Sequence, residues 1–119
     1  MSGGRKSPSG QYTTWVWAYG SPGESFTNIS VKTLEVYVSK LYTDSRAETV
    51  LYHRSLSVRA GQILWESEWS GDSNVVIEIS ENGNSHEAET KGQRKTPPLN
   101  IRITLCQEPV EGKFIECNH

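Results

Sequence analysis

Hydrophobic and polar positions alternate along most of this 119-residue chain. In Ile-Leu-Trp-Glu-Ser-Glu-Trp (Ile63 to Trp69), Ile63, Trp65 and Trp69 share one parity, and Leu64, Glu66 and Glu68 share the other. A strand turns successive side chains to opposite faces, so this segment reads as a half-buried β-strand. The same alternation runs through Tyr12 to Tyr19, with Trp15, Trp17 and Tyr19 on one face, and through Val75 to Ser80, with Val75, Ile77 and Ile79 together. It resumes in Asn100 to Cys106, where Ile101, Ile103 and Leu105 point inward, and closes in Phe114 to Cys117. Phe26 to Leu41 reads as a long β segment. Ile29 and Val31 have one parity there and Leu34, Val36 and Val38 the other, which predicts a bulge or break near Lys32-Thr33. Glu48 to His53 reads as a strand with helix as the competing reading, and Ser55 to Val58 as a short extended piece.

Turn chemistry separates these segments at Gly20-Ser-Pro-Gly23, Thr43 to Arg46, Ala60-Gly61 and Ser70 to Asn74. Residues 1–10 carry no periodicity and read as a flexible tail, with one domain over 11–119. Glu81 to Pro98 is polar, aperiodic and marked by Gly and Pro, which reads as a long loop. Seven or eight short strands divided by turns predict an all-β, single-domain antiparallel β-sandwich. A small barrel is the alternative, because both give the same period of two.

Composition narrows the function classes. The formal charge is −2 and the pI about 5.9, without the basic stripe that nucleic acid requires, so no nucleic-acid partner is expected. No apolar run approaches ~18 residues, so no transmembrane segment is expected. The first ten residues lack the hydrophobic stretch of a signal peptide, which leaves the cytoplasm, or secretion with the leader absent. Cys106 and Cys117 bracket a strand end, a turn and a return strand. They are a possible disulfide, and closing so short a loop would contribute about 3 kcal/mol. If they share a face, Ile115 joins them and Phe114 joins Leu105. Two cysteines alone cannot build a structural zinc site, and neither metal nor cofactor is expected. Asn28-Ile29-Ser30 matches the N-glycosylation pattern, which has meaning only in a secreted protein.

No catalytic motif stands out. His53, His86 and His119 form no metal-binding spacing, and the chain has no Gly-x-Ser-x-Gly elbow, phosphate loop or dinucleotide fingerprint. Glu66 and Glu68 lie about 7 Å apart on one strand face and read as the solvent side opposite the tryptophans. The aromatic content is the best functional signal. Four Trp and five Tyr exceed what one thin core needs, and Trp or Tyr at a surface suits ligands that are apolar on one side and wet on the other. The leading expectation is therefore a non-catalytic recognition module for a membrane lipid or glycan, with Trp15, Trp17, Trp65 and Trp69 as candidate ligand-binding residues. One alternative is a protein-interaction protein (effector or assembly component) that uses a sheet edge or the 81–98 loop. A second is a small enzyme with an open pocket, using His53 or a glutamate as acid or base.

Val31 to Val50 reads Val-Lys-Thr-Leu-Glu-Val-Tyr-Val-Ser-Lys-Leu-Tyr-Thr-Asp-Ser-Arg-Ala-Glu-Thr-Val. With Trp15-Val16 before it and Val58-Arg-Ala-Gly61 after it, this resembles the early part of the aegerolysins, and the likeness extends from Trp15 to Ile79. It implies a small β-sandwich that recognises membrane sphingolipids. The family's Trp-Asp-Cys-Pro-Trp-Gly segment has no counterpart here.

Overall fold

The computed structural model describes residues 5–20, 29–41, 48–82 and 98–117. Eight strands lie among them: β1 (Arg5–Lys6), β2 (Tyr12–Tyr19), β3 (Ser30–Leu41), β4 (Glu48–Ala60), β5 (Ile63–Ser70), β6 (Asn74–Glu81), β7 (Asn100–Gln107) and β8 (Phe114–Glu116). Strands β1 to β4 form a first sheet in sequence order and β5 to β8 a second, every adjacent pair antiparallel. The two sheets pack as a sandwich and close no barrel. Each sheet is a meander, so the described pairings all join strands adjacent in sequence. The chain changes sheet at Gly61 and Gln62.

Strand parity builds the core. Val16, Leu34, Val36 and Val38 turn inward from the first sheet, and Trp65, Val75, Ile77, Ile79, Ile103, Leu105 and Phe114 from the second. At about 25 cal/mol per Å² of apolar area, this shared interior is the main force joining the sheets. Tyr12, Trp69 and Phe114 close one end as an aromatic cluster, with ring centroids 5.6 to 6.2 Å apart. The Tyr12 hydroxyl accepts a bond from Gln107 Nε2 at 3.1 Å. Thr14 and Ser67 join their hydroxyls across the sheets at 2.8 Å. Along the β4 edge, Tyr52 donates to Glu116 Oε2 at 2.9 Å and Arg54 donates to Glu116 Oε1 at 3.0 Å. Burial and the bond to Glu116 push the Tyr52 phenol up to about 12.

Several sequence expectations change. No bulge falls at Lys32-Thr33. Lys32 itself points inward, 1% exposed, while Val31 is 60% exposed. An ammonium survives there because it donates to the Ala60 carbonyl at 2.5 Å and to Ser30 Oγ at 3.1 Å. The register shift lies instead between Val38 and Ser39, where Val38 faces Tyr52 and Ser39 faces Val50, leaving Leu51 as the extra residue. Glu48 to Ala60 is one strand, not two. Its polar positions are tolerated because β4 is an edge strand with one face in water. Part of the expected tail is structured: Arg5 and Lys6 pair with Thr14 and Thr13, and Ser7 is buried. Glu81, expected in the long loop, ends β6 and is 9% exposed. Residues 83–97 of that loop, Asn28 of the glycosylation pattern and the 43–46 turn lie outside the described residues.

Gly71 has φ +66° in the Ser70–Asn74 connection, a conformation that costs glycine no Cβ clash. Cys106 and Cys117 are bonded, with Cα atoms 5.8 Å apart. Cys106 faces Ile115 in the ladder and the Cys117 amide donates to Thr104, so the bridge is diagonal. Ile115 shares the cysteines' exposed face, and Phe114 is buried on the face of Leu105. Without the bridge, β8 is a three-residue edge strand. Reduction, or replacement of both cysteines by serine, is expected to lower stability by about 3 kcal/mol. Urea unfolding with and without reductant measures this; equal midpoints would mean the bridge carries no stability.

Candidate functional site

The core dictates the outer face of the first sheet. With Val16, Leu34, Val36 and Val38 inward, Trp15, Trp17, Tyr19, Glu35 and Tyr37 must point to solvent. The register sets them in rows across β2, β3 and β4: Trp15, Tyr37 and His53, then Trp17, Glu35 and Ser55, then Tyr19, Thr33 and Ser57. Trp17 is 44% exposed and Tyr19 52%. The Trp15 and Trp17 rings are within 14° of parallel, with centroids 6.1 Å apart. Tyr37 and His53 stack at 4.7 Å across the strands. Trp15, Trp17, Tyr19, Tyr37, Ser39 and Val50 line an open hollow of about 420 Å³. The β4 bulge at Leu51 brings Val50 to this face by setting it opposite Ser39.

A polar group sits within the aromatics. Glu35 Oε1 lies 2.5 Å from His53 Nε2, and Glu35 Oε2 accepts a bond from Ser55 Oγ at 3.1 Å. A carboxylate only accepts, so His53 carries its proton on Nε2 and, when neutral, offers Nδ1 as an acceptor. The bond from His53 holds the Glu35 carboxyl below its usual range, Ser55 adds to this, and burial opposes it. Burial raises the Tyr37 phenol, with Glu35 and Tyr19 adding to the shift. Because the Glu35 value is lowered, its carboxylate role holds above the ordinary carboxyl range and is lost as pH falls through the depressed value. His53→Ala is expected to move Glu35 back toward 4.5. A carboxyl NMR titration of both proteins checks this, and an unchanged Glu35 midpoint would contradict it.

This arrangement can hold a ligand through apolar ring surface and fixed hydrogen bonds. It lacks a nucleophile relay: Ser55 bonds Glu35, not His53, so serine, base and carboxylate are not in sequence. Among the described residues, no three His, Cys, Asp or Glu side chains gather to hold a metal ion.

The four candidate tryptophans divide between the two layers. Trp15 and Trp17 lie on this outer face. Trp65 is 7% exposed in the core and Trp69 belongs to the inner aromatic cluster, because β5 turns that parity toward the first sheet. Glu66 and Glu68 lie on the outer face of the second sheet, with Glu66 directly opposite Glu78. The cysteines are also on that sheet, away from the aromatic face. Sequence reasoning missed Glu35, Tyr37 and Ser55 as site residues. The parity of Leu34, Val36 and Val38 already turned Glu35 and Tyr37 outward, but no local pattern set β4 beside them. Comparison with protein-family models, curated proteins and solved structures finds no match for this chain.

Proposed function

We propose that the protein is a non-catalytic recognition module that binds a glycan on the outer face of its first sheet. The observation that carries this reading is the setting of Glu35, His53 and Ser55 among Trp15, Trp17, Tyr19 and Tyr37 on one solvent-facing surface. A sugar ring has an apolar C–H face and a rim of hydroxyls. The aromatic side chains suit the first, and a carboxylate already oriented by two bonds suits the second. An orienting bond made before binding reduces the ordering cost of the complex. The shallowness of the hollow favours binding over chemistry that must exclude water. A panel of immobilised neutral oligosaccharides tests the reading. Capture of the native protein and loss of capture by Trp17→Ala are expected, whereas capture that Trp17→Ala leaves intact would contradict it.

A membrane-lipid headgroup is the second reading, favoured by the aegerolysin resemblance from Trp15 to Ile79, which runs through this same face. Flotation with sphingolipid- and sterol-containing vesicles beside plain phosphatidylcholine vesicles separates the two. Selective capture on the first set supports the lipid, and no capture on either leaves the glycan.

A further inference from the structure

We propose that the chain forms a two-fold dimer by pairing the open edge of β2 with the same edge of a second copy. β1 is two residues long and covers only Thr13 and Thr14. Beyond it, no strand among the described residues pairs with that side of β2.

The backbone direction along this edge is fixed. The Ser7 amide donates to the Tyr12 carbonyl at 2.8 Å, and the Tyr12 amide donates to Ser7 Oγ at 3.2 Å. Both polar groups of Tyr12 therefore point toward the β1 side. In an antiparallel ladder a residue's amide and carbonyl point the same way, and alternate residues share a side. Val16 and Ala18 thus present their amides and carbonyls along the open edge, while Trp15, Trp17 and Tyr19 bond to β3.

A two-fold axis at Trp17 satisfies these groups. Val16 exchanges both its bonds with Ala18 of the second copy, and Ala18 with that copy's Val16. Trp17 then faces its own counterpart at the close spacing of a non-hydrogen-bonded pair, and Trp15 faces Tyr19 on either side. Aromatic meets aromatic at each outward position, the cross-strand pairing that stabilises sheets. Gly20 lies outside β2 and would fall opposite Thr14, which Arg5 already pairs, so the shared ladder runs from Trp15 to Tyr19.

The edge also lacks the usual guards against such pairing. Proteins protect open strands with lysine, proline or other charges. Val16-Trp17-Ala18-Tyr19 carries none, whereas the β5 edge carries Glu66 and Glu68. Pairing joins the two first sheets into one of eight strands and makes their aromatic faces continuous. The inference does not rest on the glycan reading, and its test contains no ligand.

Sedimentation of the native chain across a concentration series to about 0.5 mM suits an interface at the small, weak end of the range. The mass is expected to rise toward twice the 13.3 kDa of the chain. Ala18→Pro removes one edge amide without touching the β2–β3 ladder, and proline is tolerated where the missing N–H faced solvent. Trp17→Lys sets two ammonium groups across the axis. Each is expected to weaken association at least about tenfold while keeping the native circular dichroism spectrum. Should Ala18→Pro fail to fold, Trp17→Lys decides alone. A native chain that stays at 13.3 kDa throughout would overturn the proposal, as would a dimer that persists in the folded variants.

Discussion

Replacing Glu81 by alanine is expected to lower stability by about 4 kcal/mol, with one buried and one half-buried amide stranded at roughly 1–3 kcal/mol each. Glu81 ends β6 at 9% exposure. Its Oε2 accepts the Gly61 amide and its Oε1 the Leu99 amide, each at 3.0 Å. The first bond holds the corner where the chain passes between sheets, and the second holds the entry to β7. Lys32 acts on the same corner, since its ammonium binds the Ala60 carbonyl at the other end of the Ala60–Gly61 peptide. One peptide group is thus gripped by a buried cation on its oxygen and a buried carboxylate on its nitrogen. In a domain of this size about 4 kcal/mol corresponds to a fall in Tm on the order of 15 °C. Glu81→Gln keeps one acceptor oxygen and is expected to lose about half as much. Urea and thermal unfolding measure both variants. A loss below about 1 kcal/mol for Glu81→Ala would mean that the corner is held by packing alone.

The tryptophans are expected to separate binding from stability. Trp17→Ala removes a ring that is 44% exposed, so its unfolding free energy should change by less than about 1 kcal/mol. Its affinity for a bound oligosaccharide should fall by about 2 kcal/mol, on the order of 30-fold in Kd, as for an aromatic anchor at an interface. Trp65→Ala should do the opposite. It opens a cavity among buried neighbours at 7% exposure and is expected to cost about 3–5 kcal/mol of stability, with affinity kept in the folded fraction. Calorimetric titration and denaturant unfolding of the two variants give all four numbers. Equal effects of the two substitutions on affinity would mean that the outer face is not the binding surface.

The sequence carried the sandwich because parity is a property of each strand. Tyr12 to Tyr19 reads the same in the chain and in the fold, and so does the inward set Val75, Ile77 and Ile79. Parity failed where polar side chains are buried. Lys32 and Glu81 look like solvent positions, and their partners are backbone groups that no local pattern names. That is why a bulge was expected at Lys32-Thr33 and a loop from Glu81. The site was half legible. Strand parity put Trp15, Trp17 and Tyr19 on one face, but it could not say whether that face or the Trp65 and Trp69 face of β5 would be covered. Only the pairing of β3 with β4 sets His53 against Tyr37 and Ser55 against Glu35, and register between strands is written in side-chain packing on both partners.

The most direct test of the recognition face is a nitrogen–proton NMR titration of the native protein with neutral oligosaccharides, following the four indole signals. The Trp15 and Trp17 indoles, with the Glu35, Tyr37 and His53 amides, are expected to shift together and saturate, while the Trp65 and Trp69 indoles stay in place. Saturable shifts confined to the outer face of the second sheet, around Glu66 and Glu78, would contradict the account.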